Sequence, residues 1–342
     1  MSLKEDKRKK IKSYIVESVT TVPDRIAQYT AEKFDISRQT VNRYINELID
    51  QEEIKAIGRG RGRTYKLVEK EHKITIKDLK NADETKIWLK QIKTMLPTIT
   101  KQVEEICGYG VTEMINNSID HSESQTCEIT ISYDSIKLTL AIKDFGIGIF
   151  KKIQDHFHLD DPRQSILELA KGKLTSDPDN HSGEGIFFTS RMFDEFYIFS
   201  GNLCFFGNKN KDCIVETPAG VDGTMVCMEI NRKRKKKMED IFEEYETGDG
   251  EFGFSKTMIP VTLLQHEGEL LISRSQAKRL IVRFEKFKEV ILDFEGIIKI
   301  GQGFADEVFR VFRRKHPETK LFPINTNTLI DKMIKHVLNS NL

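Results

Sequence analysis

Residues 113–121 read Glu113-Met114-Ile115-Asn116-Asn117-Ser118-Ile119-Asp120-His121. Glu113 and Asn117 stand one helical turn apart, so on a helix a carboxylate and an amide share one face. Hydrophobic periodicity around them predicts a long helix over 99–120. Two segments downstream, 127–133 and 136–143, alternate apolar and polar residues as adjacent strands do. The second runs into Asp144-Phe145-Gly146-Ile147-Gly148, and His181-Ser182-Gly183-Glu184-Gly185 precedes a helix that begins near Ile186. Further strands are expected over 196–200, 203–207, 213–217 and 224–230. A helical stretch over 82–94 carries Ile87, Trp88 and Ile92, and 151–182 reads as a polar, partly flexible region.

These residue types suit a triphosphate and its metal. Asn117 offers a neutral oxygen that can complete a Mg²⁺ shell. Glu113, one turn earlier, can accept a proton from an attacking water if the γ-phosphate is close. Asp144 can accept a hydrogen bond from an adenine amine. Gly146 and Gly148 let backbone pass close to the ring, and Gly183 and Gly185 can turn backbone N–H groups toward phosphates at a helix start. Thr224, which follows Gly223, can support the adenine side. No GxxxxGK[ST] loop is present.

Each motif alone is weak; their order and spacing over 99–230 carry the inference. The set resembles the GHKL, or Bergerat-fold, ATP-binding domain of gyrase, Hsp90, histidine kinases and MutL. The resemblance implies ATP and Mg²⁺ as cofactors, Asn117 as the metal ligand, Asp144 as the adenine reader and Glu113 as the general base. Gly146, Gly148, Gly183 and Gly185 would be backbone sites. Asp120 and His121 fall where the family places further polar residues around phosphate and sugar, although His121 can equally cap the helix end. Residues 151–182 would be the lid, with Lys171 and Lys173 either approaching phosphates or simply solvated. The glycine motif is short, as in kinases and anti-sigma factors. His156 and His158 lie within the expected lid, and no separate helix hairpin carries a phosphoacceptor histidine. The long transducer domain of gyrase and MutL is missing too, so hydrolysis would be slow or would need a dimer partner.

Residues 1–70 lean basic. Helical spacing over 24–34, a short turn and Ser37 as cap lead into a helix over 38–49, with Val41, Ile45 and Leu48 on one face. Residues 54–67 read as a hairpin with the tip Gly58-Arg59-Gly60-Arg61-Gly62-Arg63. The arrangement resembles a winged helix-turn-helix. It implies double-stranded DNA as partner, with Arg38, Gln39, Asn42 and Arg43 toward base edges and Arg59, Arg61 and Arg63 toward phosphate or the minor groove. A winged helix used only for docking is the alternative.

Residues 72–232 would form the nucleotide domain, 233–256 a charged, solvated linker, and 257–342 a small α/β domain. In the last, 290–306 resembles the core of STAS-like domains, but its turn at 300–304 lacks the serine phosphorylated in anti-anti-sigma factors. Ser273 or Ser275 can cap a helix there. The expected fold class is therefore α/β multidomain: winged helix-turn-helix, Bergerat α/β sandwich, STAS-like domain. Lys and Arg number 54 against 53 Asp and Glu, so any basic footprint is local. No apolar run suits a membrane span, and five cysteines without a CxxC pair read as buried thiols of a cytoplasmic protein. Three functions follow as expectations: an ATP-responsive DNA-binding regulator that switches domain or homodimer arrangement, an anti-sigma-type serine/threonine kinase acting on a regulatory protein partner, or a nucleotide-sensing scaffold without turnover.

Overall fold

The computed structural model describes residues 3–174, 182–208, 212–247, 253–265 and 269–339. The chain opens with α1 (Leu3–Ser18), α2 (Ile26–Phe34) and α3 (Arg38–Asp50). Ser37, in extended conformation, starts α3 by accepting the Thr40 N–H at 3.1 Å. Val41, Tyr44, Ile45 and Leu48 then fall on one helical stripe, buried with Ile11, Ile15 and Ile26. Arg38, Gln39, Asn42 and Arg43 remain on the exposed side. Strands β1 (Ile54–Ile57) and β2 (Thr64–Leu67) pair antiparallel across the Gly-Arg tip. This unit keeps an apolar core of its own.

The chain continues through β3 (Lys70–Ile76), α4 (Glu84–Ile87), α5 (Lys101–His121), β4 (Cys127–Tyr133) and β5 (Lys137–Asp144). Then come α6 (Ile149–Phe157), α7 (Pro162–Lys171), α8 (Gly185–Met192), β6 (Glu195–Gly207) and β7 (Asp212–Asn231). The five strands form an antiparallel sheet in the order β3-β4-β5-β7-β6. One face of it, with Ile129, Ile131, Leu140, Ile142 and Met228, packs with α5 and α8.

Three features differ from the sequence expectation. The sequence pattern assigns no element to 70–76, where the structure has β3, an edge strand with one buried residue, Ile74, defined by its pairing along β4. β6 and β7 each join what the pattern splits into two strands, because register shifts between Phe199 and Leu203 interrupt the alternation. Residues 151–171 are mainly helical rather than flexible. Phe150, Ile153 and Phe157 give α6 an inward face, and Asp161 Oδ1 caps α7 by accepting the Arg163 N–H at 2.8 Å. His181 and the rest of 175–181 lie outside the described residues.

The last part runs α9 (Met238–Glu243), β8 (Lys256–Pro260), α10 (Arg274–Ile281), β9 (Glu289–Asp293) and α11 (Gln302–Ala305). A π-helical turn leads from α11 to α12 (Arg313–Lys315), followed by β10 (Lys320–Ile324) and α13 (Thr328–Asn339). The three strands are parallel, in the order β10-β9-β8. Val290, Leu292 and Phe294 are buried, as expected of a covered sheet. Ser273 caps α10, its Oγ accepting the Gln276 N–H at 3.2 Å.

The described part of the segment expected to be a solvated junction, 233–247 and 253–256, is packed instead, whereas Gly248 and Gly250 lie outside the described residues. α9 buries Ile241, while the Tyr245 and Phe254 rings lie 5.0 and 4.4 Å from that of Phe187. In the basic block, Arg234 pairs with Asp194 at 2.8 Å and Lys236 with Glu244 at 2.7 Å. Apolar residues missed at 241, 245 and 254 outweigh the charge blocks around them. A single core thus runs from the five-stranded sheet into the parallel one. Among the described residues, no helix is long and apolar enough to cross a membrane.

Candidate functional site

Between α5, the turn after β5, α6, and the start of α8 lies a cavity of about 380 Å³, within the size range of small-molecule sites. Glu113, Asn117, His121, Asp144, Gly148, Gly183, Gly185 and Thr224 all line it. Residues dispersed from 113 to 224 are thus gathered at one place. Thr100 begins α5 by accepting the Val103 N–H at 3.3 Å, and the helix holds Glu113 and Asn117 in the register their spacing implies.

The end of α5 is tied to the second motif. The Ile147 N–H donates to Ser122 O at 3.0 Å, and the Phe145 N–H to Ser124 Oγ at 3.2 Å. Asp144 is buried, and its Oδ1 accepts N–H groups from Gly146 at 3.0 Å and Thr224 at 3.1 Å. Burial pushes its carboxyl above the usual range, and the two amides pull the other way. Thr224 Oγ1 in turn accepts the Ile149 N–H at 3.0 Å, fixing the start of α6. Asp144 is therefore held as a rigid acceptor in a low-dielectric wall.

The glycine turn is closely packed at two positions. At Gly185, an added Cβ would lie 1.9 Å from Glu113 Oε2, the end of a flexible side chain, so the Glu113 carboxylate lies beside the glycine turn at the α8 N-terminus. Gly183 has φ +71°, and a Cβ there would lie 2.5 Å from the Leu174 carbonyl. Glu184 beside them is pushed up by burial, with Lys173 and Ser182 opposing.

Other expected residues are placed elsewhere. Gly146 acts through its N–H to Asp144 and faces the neighbouring groove rather than the cavity. Asp120 is exposed and outside the lining. Lys171 is wholly buried, its Nζ donating to the carbonyls of Arg279 and Val282 at 3.1 Å each; Lys173 donates to Lys286 O at 3.0 Å. Both turn toward the C-terminal unit, so neither lysine is placed to meet a ligand in the cavity. The cation the sequence did not single out is Lys152. It lines the cavity, and its Nζ donates to His121 O at 2.7 Å. Its position one turn after Gly148 was the available signal. His156 lines the cavity as well.

On the N-terminal unit, the exposed side of α3 brings Arg38, Gln39, Asn42 and Arg43 together, and Arg59 and Arg63 are exposed at the hairpin tip. The Arg61 side chain lies outside the described residues. Cys107, Cys127 and Cys204 are buried, and Cys213 and Cys227 are half-buried. Among the described residues, no group of three or more His, Cys, Asp or Glu is arranged to hold a metal ion by itself.

No curated protein matches this chain. Residues 276–331 match a STAS-like domain of unknown function (DUF4325), so the C-terminal unit is STAS-like.

Proposed function

We propose that this chain is an ATP- and Mg²⁺-dependent DNA-binding regulator: a winged helix-turn-helix, a Bergerat-type nucleotide domain and a STAS-like domain. The observation that carries it is the convergence of Glu113, Asn117, Asp144 and the 183–185 turn on one cavity. The residues present fit the ligand. Asp144 is a fixed buried acceptor suited to an adenine amine, and the tight glycine turn leaves backbone free to approach phosphates. Lys152 supplies positive charge at the wall, and Asn117 would hold the metal jointly with phosphate oxygens.

When bound, Mg-ATP supplies a transferable phosphoryl group. Glu113 would orient and accept a proton from the attacking water or hydroxyl. Its carboxylate lies beside Gly185, so a shift of the glycine turn would be felt at the general base. The basic, exposed side of α3 and the Gly-Arg tip would meet DNA, α3 in the major groove and the tip along the backbone.

The test is DNA affinity at fixed salt with and without a non-hydrolysable ATP analogue and Mg²⁺. A regulator shows a changed affinity or oligomeric state; identical values under both conditions refute the coupling. Transfer of labelled γ-phosphate to a partner protein would favour the kinase alternative.

A further inference from the structure

Residues 168–174 face two ways. Leu169 and Leu174 line the cavity, whereas Lys171 and Lys173 between them reach the C-terminal unit. Besides its two carbonyl acceptors, the Lys171 ammonium donates to Glu168 Oε1 at 2.5 Å. Arg283 closes on the same helix end. Its Nε donates to Glu168 Oε2 at 2.8 Å, Nη2 to Glu168 O at 2.7 Å, and Nη1 to Lys173 O at 2.9 Å. Thr257 Oγ1 adds a bond to Lys171 O at 2.9 Å.

The backbone on both sides of this contact is unusual. Lys173 (φ 51°) and Arg283 (φ 64°) are left-handed, a conformation that persists in such residues only where surroundings impose it. Burial draws the Lys171 ammonium down to about 8 despite Glu168, so its charge too is held by context. Glu168 is a single carboxylate shared by two buried cations, so its loss leaves both uncompensated, and loss of Arg283 leaves the Glu168 and Lys173 carbonyls without that donor. The same backbone continues into the cavity rim, where the Leu174 N–H donates to Gly183 O at 3.1 Å.

We propose that residues 279–287 of the STAS-like unit form a latch on the end of α7 that regulates the nucleotide cavity. Closed, the latch holds Leu174 against Gly183 and keeps the rim in its binding shape. Released by an event at the STAS-like unit, it loosens the rim and lowers affinity. By linkage, a ligand that favours the closed rim tightens the latch equally. The proposal rests on the cavity binding Mg-ATP.

The experiment is amide hydrogen exchange on the full chain with and without AMPPNP and Mg²⁺, together with titration of the analogue. It compares wild type with Arg283→Gln and the milder Lys173→Met. In wild type, nucleotide slows exchange at 284–287. In both variants, exchange at Leu174 and 182–186 rises without nucleotide, and affinity falls about tenfold for Arg283→Gln, a typical coupling. Should Arg283→Gln fail to fold, Lys173→Met carries the comparison. If wild type binds no nucleotide, the ATP reading fails, while rim exchange in the variants still judges the latch. Unchanged rim exchange, or unchanged affinity in a folded variant of a binding-competent protein, overturns it.

Discussion

The two end units meet the cavity-bearing sheet in opposite ways. The N-terminal unit has a separate core and touches the rest mainly through polar contacts: Lys70 to Glu52 at 3.1 Å, Lys233 to Ser13 at 3.0 Å and Ser135 to Glu53 O at 3.4 Å. Ile136 also packs against the N-terminal core. The STAS-like unit shares a continuous core with the sheet, with Phe254 between Phe187 and Phe287, and adds the buried Lys171–Glu168–Arg283 contact. Surface polar pairs contribute about 0–1 kcal/mol each; a shared aromatic core contributes several times that. Any change at the cavity therefore reaches the STAS-like unit through packed matter, and reaches the N-terminal unit only by rearranging weak contacts. That asymmetry suits an arm whose position can change.

The contrast breaks most readily by calorimetry. Phe254→Ala should cost about 3–5 kcal/mol from one transition in which cavity and STAS-like unit unfold together. Ile45→Ala should cost about 2–5 kcal/mol, confined to residues of the N-terminal unit. If both substitutions displace the same single transition, the two ends are not differently attached.

DNA binding sharpens it further. Arg38→Ala or Arg43→Ala should each weaken a specific site by about 1–3 kcal/mol. Because both side chains are exposed, the fold should change by no more than about 0.5 kcal/mol. Loss of stability instead of DNA affinity would assign α3 a structural role.

The smallest effect is expected at Asp144. Burial raises its pKa in the fold, so the folded state gains stability below the ordinary carboxylate pKa and loses it as pH rises through the raised value. At pH 7 the charged form carries that cost. Asp144→Asn keeps an oxygen acceptor for Gly146 and Thr224 and should melt at or slightly above the wild-type temperature at pH 7, with the difference fading toward acid. A lower melting temperature at pH 7 would mean the carboxylate stabilises the fold.

Much of this was legible in the sequence. The α5 register, the Asp144 turn and the α3 stripe are local: spacing alone decides which side chains share a face, and the structure keeps those faces. What failed was non-local. β3 shows little alternation of burial, because an edge strand is specified by its partner. Lys171 and Lys173 resemble solvated lid lysines in one dimension; carbonyls more than a hundred positions away, at 279–286, decide their direction. Charge runs around 233–256 conceal the buried Ile241, Tyr245 and Phe254, the last two of which pack their rings against Phe187 and Phe188. In the cavity, the position of Lys152 one turn after Gly148 is a weak signal by itself; the fold of α6 against the end of α5 brings its ammonium to the wall.

The most direct test of the central claim is isothermal titration of the full chain with AMPPNP and Mg²⁺, alongside Asn117→Ala. A saturable heat in wild type, strongly diminished by the substitution and by leaving out Mg²⁺, is expected. No heat in wild type, or identical binding by Asn117→Ala with or without the metal, would contradict it.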